Sequence, residues 1–105
     1  MVPLAAIQDV ADRIARAFDP DKVVLFGSHA EDKAGPDSDV DLLVVLPFEG
    51  KNLTKSVEIL TRINPPFPAD LLARKPQDTE RRYRLGDPLI RSALDHGIVL
   101  YERTG

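Results

Sequence analysis

The sequence contains no cysteine, which excludes a disulfide framework, a Cys-based zinc site and thiolate chemistry. It also has no apolar stretch as long as a membrane span. We expect no signal peptide, because Asp9, Asp12 and Arg13 interrupt the apolar residues of the amino-terminal segment. There is no internal repeat or low-complexity tract. These absences are compatible with a cytoplasmic protein.

The chain also lacks an excess of positive charge. It has 14 Lys and Arg residues against 17 Asp and Glu residues, and this net charge of −3 disfavours a general nucleic-acid binder. The 43% of hydrophobic residues are enough to build a core, and the 30% of charged residues favour a soluble protein. A length of 105 residues predicts one domain, residues 1–105.

Apolar periodicity and turn residues divide the chain into helices and strands. The predicted elements are a helix over 4–18, strands over 23–26 and 39–46, a helix over 52–63 with Asn52 as N-cap, a strand over 67–73, a short helix over 79–85, a helix from the Asp87-Pro88 pair to Gly97, and a strand over 98–101. Helices between strands favour an α/β layer, and the short 27–38 connection leaves room for one antiparallel pair.

Three carboxylates interrupt apolar strands. Asp39 and Asp41 are two residues apart and so face the same side of a strand, about 6–7 Å apart. Such a pair repels itself when desolvated, and a divalent cation such as Mg²⁺ removes that penalty. Asp70 lies within the next predicted strand. If the two strands are neighbours, the three acids converge and can hold two metal ions about 3.5–4 Å apart, the geometry of phosphoryl-group transfer.

Gly27-Ser28 follows the first predicted strand and begins a short turn. Backbone N–H groups at such a turn are free for an anion. Gly27 lets the backbone approach a phosphate closely, and the Ser28 hydroxyl can donate to it. The stretch is not a Walker A loop, because Asp32 stands where a glycine before Lys33 is required.

Each of these features also has a purely structural interpretation. A single aspartate is more often solvent-facing than catalytic, so Asp39, Asp41 and Asp70 could be surface residues, and Gly27-Ser28 could be only a turn. The combination favours a function: a strand, Gly-Ser, a fixed gap, Asp-x-Asp, a second strand, a helix, and a third strand with its own acid.

Gly27-Ser28, ten residues and then Asp39-Val40-Asp41 resemble the signature of the nucleotidyltransferases related to DNA polymerase β. The stretches SDVDLLVVL and ALDHGIVLYER resemble the family's second strand and its last helix and strand. The small size resembles the minimal nucleotidyltransferases that form two-gene units with HEPN-domain proteins. The resemblance covers essentially the whole chain. It implies the polymerase β-like fold, an α/β (α+β) domain with a small mixed sheet and helices packed mainly on one face.

The resemblance also implies an activity. Gly27 and Ser28 would bind the triphosphate, Asp39 and Asp41 would bind Mg²⁺, and Asp70 would complete a two-ion site and help deprotonate the acceptor hydroxyl. The reaction would move a nucleoside monophosphate, AMP from ATP, to a hydroxyl and release pyrophosphate. In the toxin–antitoxin interpretation the protein is the antitoxin, which adenylylates a tyrosine of its HEPN ribonuclease partner and silences it.

The nucleotide loop departs from the family pattern at one point. Family members commonly carry Arg-Gly after the alanine of this loop, whereas Ala30 is followed here by Glu31-Asp32. Two acids near the triphosphate would repel it, and Lys33 is a partial substitute for the missing base. The departure puts nucleotide affinity in question and leaves the three acids untouched.

Two other functions stay open. A non-catalytic module on the same fold would neutralise its partner by covering it. Transfer to a small molecule or to RNA ranks last, because so short a chain has no second domain for such an acceptor and the acidic balance disfavours RNA. An apolar flank of the sheet left uncovered would favour a homo-oligomer or a stable complex.

Four further features have weaker functional interpretations. His29 could contact a phosphate or be a solvated loop residue, and His96 suits the C-terminal end of a helix. The run 81–84 is the one basic patch, a contact for phosphates or for an acidic partner, or a solvated helix face. Three aromatic residues favour core or partner contacts over base stacking: Phe48, Phe67 and Tyr101.

Overall fold

The computed structural model describes residues 1–104. Its elements are the helices α1 (Leu4–Phe18), α2 (Asn52–Ile63), α3 (Pro76–Arg84) and α4 (Pro88–His96), and the strands β1 (Lys22–Phe26), β2 (Val40–Val45), β3 (Ala69–Arg74) and β4 (Ile98–Glu102). A 3₁₀ turn over Gly27–His29 follows β1 directly. The order of the elements is the predicted one. No helix in this part of the chain combines the length and the apolar character needed to cross a bilayer.

Prolines account for the two largest differences between predicted and observed boundaries. β3 begins at Ala69 rather than Phe67, because Pro68 has no N–H group to donate to a sheet ladder. α3 begins at Pro76 rather than Thr79, because the fixed backbone angle of a proline suits the first turn of a helix.

The two predicted helix caps have different outcomes. Asp87 caps α4 as predicted, since its carboxylate accepts hydrogen bonds from the N–H groups of Leu89 at 3.0 Å and Ile90 at 3.1 Å. The prediction of Asn52 as the N-cap of α2 is wrong. Lys51 occupies the cap position without a side-chain capping bond, and Asn52 is already helical.

The four strands form one mixed sheet in the order β3-β2-β1-β4. β1 is antiparallel to both of its neighbours, as the short connection after it predicts for β2, whereas β2 and β3 are parallel. A parallel pair needs a crossover connection, and α2 supplies it. At one end of the sheet Phe26 pairs with Asp41 and Asp41 pairs with Asp70. This end, with the connection 27–39, is called the acidic end below.

Both faces of the sheet are covered, which explains why β2 is apolar at nearly every position. The larger core lies between the sheet and the helices α1 and α2. Its largest fully buried side chains are Ile7, Val10, Ile14, Val23, Leu25, Val40, Leu42, Val44 and Ile59. A smaller core on the other face joins Val24, Phe26, Leu43 and Val45 to Ile90 and Ala93 of α4.

A buried serine attaches the outer strand β3 to α2. The Ser56 hydroxyl accepts a hydrogen bond from the Ala73 N–H at 2.9 Å and donates one to the Asn52 carbonyl at 2.8 Å. β3 is an outer strand of the sheet, so it has β2 on one side only. Ser56 therefore satisfies a backbone group of β3 that no neighbouring strand can reach.

Replacing Ser56 with alanine is expected to lower the free energy of unfolding by about 1–3 kcal/mol, because it leaves the buried Ala73 N–H without an acceptor. Urea denaturation measures the change. Thr54→Ala, at an exposed position of the same helix, is the matched control and should stay within about 0.5 kcal/mol of wild type. Equal stability of the two variants would show that the Ser56 hydroxyl contributes nothing.

Candidate active site at the acidic end

The pairing of three strands brings the Gly-Ser turn and two of the acids together. Asp41 is the register partner of Phe26 on β1 and of Asp70 on β3. Gly27 follows Phe26 directly, so Gly27, Asp41 and Asp70 lie side by side across strands that are about 4.8 Å apart. The sequence places Asp41 and Asp70 some thirty residues apart, and the parallel register makes them neighbours.

Asp41 and Asp70 also share a face of the sheet. Side chains two positions apart in a strand point the same way, and Leu43 and Leu72 both pack in the smaller core under α4. Leu42 and Leu71, one position earlier, lie in the larger core. The two carboxylates therefore project on the α4 side of the sheet.

Asp39 lies just outside β2, since the strand begins at Val40 rather than at the predicted Asp39. The Val40 N–H donates to the Pro68 carbonyl at 3.0 Å, which joins the start of β2 to the residue before β3. This bond fixes the register that makes Asp41 and Asp70 partners. Asp39 and Asp70 are exposed, whereas Asp41 is half-buried.

Gly27 is required at its position for two reasons. Its φ of +73° lies in the left-handed region that side chains other than glycine rarely adopt. A Cβ atom at this position would overlap the Asp41 carboxylate. The backbone of the turn thus packs directly against the central acid, with no side chain between them.

The Gly-Ser pair begins a short 3₁₀ turn directly after β1. Within the 3₁₀ turn, the N–H groups of Ala30 and Glu31 both donate to the Gly27 carbonyl at 3.1 Å. Ser28 and His29 precede these donors, so the turn itself offers their N–H groups no acceptor. Ser28 is half-buried, and Gly27, the residue before it, lies directly against the Asp41 carboxylate.

The acids act on one another electrostatically. Burial, followed by repulsion from Asp70 and from Asp39, raises the pKa of the Asp41 carboxyl, and attraction to His29 lowers it in part. Like-charged groups influence each other in this way only at short range. Asp41 is thus the acid at which desolvation and both like charges combine.

The residues at the acidic end suit a hard divalent cation by their chemistry, since three carboxylates offer oxygen ligands and their repulsion is relieved by a positive ion. Their carboxylate groups do not enclose such an ion as they stand. Within residues 1–104, no group of three or more His, Cys, Asp or Glu side chains is gathered closely enough to hold a metal. The backbone brings the acids to one end, and their mutual repulsion opposes closer approach.

His29 belongs to the acidic end, and the sequence left open whether it contacts a phosphate or is a solvated loop residue. Its Nε2 accepts a hydrogen bond from the Val2 N–H at 3.3 Å, and its Nδ1 is buried without a hydrogen-bond partner among the described residues. His29 is therefore not a solvated loop residue, and it lies close enough to Asp41 to affect its charge. No sequence signal indicated the contact with Val2.

The two acids that depart from the family pattern occupy the turn after His29. Asp32 adopts φ +57°, a left-handed conformation that aspartate tolerates better than most residues and glycine adopts freely. Position 32 therefore keeps the backbone that the family's glycine would provide. The Lys33 ammonium lies 3.9 Å from the Glu31 carboxylate and offsets part of its charge.

The basic run 81–84 lies away from the acidic end. Arg81 and Arg82 pair with Asp78, and Arg84 pairs with Glu80, within α3 itself. The run is thus an ion-paired helix face and makes no contact with the acids. Phe48, Phe67 and Tyr101 pack at the edge of the larger core.

A cavity of about 720 Å³ lies at the other end of the sheet. Lys22 and Val45, which form the last β1–β2 pair at that end, line it together with Tyr83 of α3 and Val99 of β4. Four residues of strand, about 13 Å, separate this pair from the Phe26–Asp41 pair. The cavity is therefore separate from the candidate active site.

Comparison with known proteins identifies the family of the chain. The family model described as "Nucleotidyltransferase domain" matches residues 7–100. The chain therefore belongs to the nucleotidyltransferase domain family, which confirms the family suggested by Gly27-Ser28 and Asp39-Val40-Asp41. No curated protein matches the chain.

Two solved structures share the fold. One is from Sulfolobus solfataricus and is assigned as a nucleotidyltransferase; it has 18% identity, a TM-score of 0.67, and coverage of 95% of this chain and 80% of that chain. The other is a toxin–antitoxin crystal structure with AMP-PNP, with 14% identity, a TM-score of 0.56, and coverage of 92% and 74%. They confirm the predicted fold class.

Proposed function

We propose that this chain is a Mg²⁺-dependent nucleotidyltransferase that moves AMP from ATP to a hydroxyl group of a partner protein. The observation that carries the proposal is the alignment of Gly27, Asp41 and Asp70 across three neighbouring strands. Family membership supports the reaction type.

The roles of the residues follow from their positions. Gly27 and Ser28 bind the triphosphate through backbone N–H groups and the Ser28 hydroxyl. Asp39, Asp41 and Asp70 would hold two Mg²⁺ ions, which would polarise the phosphates and lower the pKa of the attacking hydroxyl. Asp70 is exposed, so its carboxylate can also take the proton from a hydroxyl that arrives from outside.

The reaction conserves atoms and charge. The acceptor oxygen forms a bond to the α-phosphorus of ATP, and the bond from that phosphorus to the β-phosphate oxygen breaks. Pyrophosphate leaves, and the acceptor proton passes to the Asp70 carboxylate and then to water. The protein positions the two reactants and stabilises charge, which is the main part of catalysis in phosphoryl transfer.

The proposed partner is a toxin protein, specifically a HEPN-domain ribonuclease that is adenylylated on a tyrosine and thereby silenced. The fold neighbour from a toxin–antitoxin complex supports a role in such a pair. In this proposal the chain is the antitoxin and the pair is cytoplasmic. The exposure of Asp39 and Asp70 leaves the acidic end accessible to another protein.

A non-catalytic binding module is the second candidate. Glu31 and Asp32 favour it, because two acids beside the Gly-Ser turn weaken the attraction for a triphosphate. In that case the chain would neutralise its partner by complex formation alone, and saturable binding of Mg²⁺-ATP would be absent.

Transfer of label from α-³²P-ATP to a co-purified partner tests the proposal. Asp39→Asn is expected to reduce labelling by more than about 100-fold, since changes that only orient a metal ligand already cost about 10–100-fold. Asp37→Asn, at an exposed turn residue two positions earlier, is the matched control and should label normally. Equal labelling by both variants would refute the proposed metal site, and no labelling by wild type would favour the binding module.

A further inference from the structure

The charges of the chain are distributed unevenly along the sheet. Residues 31–41, which cross the acidic end, hold five carboxylates and one ammonium group, a net charge of −4. Asp70 adds one more negative charge at the same end. Because the whole chain has a net charge of −3, all of the residues outside the acidic end together have a net charge of +2.

The single base of this stretch is already engaged. Lys33 lies 3.9 Å from Glu31 and is the one Lys or Arg among residues 31–41. The other bases lie on the helices or at the far end of the sheet. Examples are Lys22, paired with Glu102, and Arg103, which lies beside Asp19 and Asp21.

A bound triphosphate would meet an unfavourable field here. Asp41 already lies in the repulsive field of Asp39 and Asp70. Two divalent ions would offset the charge of the triphosphate, and the net negative charge of the acids would then remain uncompensated. Phosphoryl-transfer sites commonly place a cationic side chain on the phosphates, in some cases supplied by a second protein.

We infer that Glu31 limits nucleotide binding by the isolated chain, and that an arginine or lysine of the acceptor protein completes the nucleotide site. This inference rests on the proposed function. The Glu31 N–H bonds to the Gly27 carbonyl at 3.1 Å, which keeps position 31 against the phosphate-binding turn. Glu31, Asp39 and Asp70 are exposed, so a side chain of another protein can reach all three.

The arrangement couples nucleotide binding to the presence of the acceptor. Without the acceptor's cation, the acids repel the triphosphate and ATP is held weakly. When the acceptor supplies its cation, the net charge of the site is closer to zero, and the acceptor hydroxyl is in place at the same time. The acceptor segment should therefore carry at least one basic residue near the modified hydroxyl.

Calorimetric titration with Mg²⁺ and α,β-methylene-ATP, which cannot transfer its nucleotide, tests the inference. We expect Glu31→Arg to bind this analogue at least about tenfold more tightly than wild type, since the change of two charge units near the phosphates is worth roughly 1.4 kcal/mol or more. Glu49→Arg, an equal charge change at an exposed residue beyond β2, should alter the affinity less than about twofold. Guanidinium chloride at about 10 mM, well below denaturing concentrations, supplies a cation in trans and is compared with sodium chloride at the same ionic strength.

Wild type should bind the analogue severalfold more tightly with guanidinium, and Glu31→Arg should show little further gain. Tight binding by wild type that Glu31→Arg does not improve, or an equal guanidinium effect on both proteins, would overturn the inference and leave the proposed function standing. The absence of saturable binding by every variant under every condition would overturn the inference and the proposed function together.

Discussion

Replacing Asp41 with asparagine is expected to reduce nucleotidyl transfer by more than about 100-fold and to raise the melting temperature at neutral pH. Asp41 lies at the centre of the acidic end, between Phe26 and Asp70 in the register of the sheet. Changes that merely orient a metal ligand cost about 10–100-fold, so loss of a central ligand should cost more. Initial rates of label transfer at saturating ATP measure the first effect, and thermal unfolding measures the second.

The stability effect has a defined pH dependence. Burial and the charges of Asp70 and Asp39 raise the pKa of Asp41 in the folded protein. A carboxyl group whose pKa is higher in the folded protein than in the unfolded chain contributes stability that depends on pH. This stability is fully present below the pKa of the unfolded chain and is lost as the pH rises through the pKa of the folded protein. Ionised Asp41 therefore opposes folding at neutral pH. The advantage of Asp41→Asn should disappear below about pH 4, where the wild-type carboxyl is also neutral.

Asp37→Asn is the control for both effects, because Asp37 is an exposed carboxylate of the same connection and does not influence Asp41. It should transfer label and melt as wild type does. If Asp41→Asn melted below wild type at pH 7, or its advantage persisted at pH 3, the electrostatic account of the acidic end would be wrong.

Replacing Gly27 with alanine is expected to have the largest effect on stability. The left-handed backbone at this position costs a residue with a side chain about 1–2 kcal/mol. The new methyl group would also overlap the Asp41 carboxylate, and forced overlaps of this kind cost about 1–3 kcal/mol. Urea denaturation should show the sum as a lower free energy of unfolding, and transfer activity should fall as Asp41 is displaced.

Gly50→Ala separates the two contributions. Gly50 has a similar left-handed φ of +88°, and a Cβ atom there would have no neighbour within 4 Å. It should therefore lose only the backbone contribution and keep full activity. If the two alanine variants lost equal stability, the close approach of the turn to Asp41 would have no energetic consequence.

The sequence predicted the elements well where burial leaves a periodic pattern. Ile7, Val10 and Ile14 are buried members of the helix that their spacing predicts. The sequence also identified β2. Further along this strand, the face that bears Asp41 is packed against α4, and Leu43 and Val45 are buried there. Both faces of β2 are therefore covered.

Other features depend on long-range contacts that have no local signal. The neighbourhood of Asp41 and Asp70 follows from a parallel register that α2 and the Val40–Pro68 bond determine. The hydrogen bond that His29 accepts from the Val2 N–H joins two residues that lie 27 positions apart. Asn52 has a side chain suited to an N-cap. The helix α2 nevertheless begins at Asn52 itself, one position earlier than it would if Asn52 were the N-cap.

The central claim is that Asp39, Asp41 and Asp70 jointly hold divalent metal beside Gly27-Ser28. Anomalous diffraction from crystals grown with Mn²⁺ and α,β-methylene-ATP tests it most directly. We expect metal peaks about 2.1 Å from carboxylate oxygens of all three aspartates, with the triphosphate against the Gly-Ser turn. Metal bound elsewhere on the chain, or bound here without a contact to Asp70, would contradict the account.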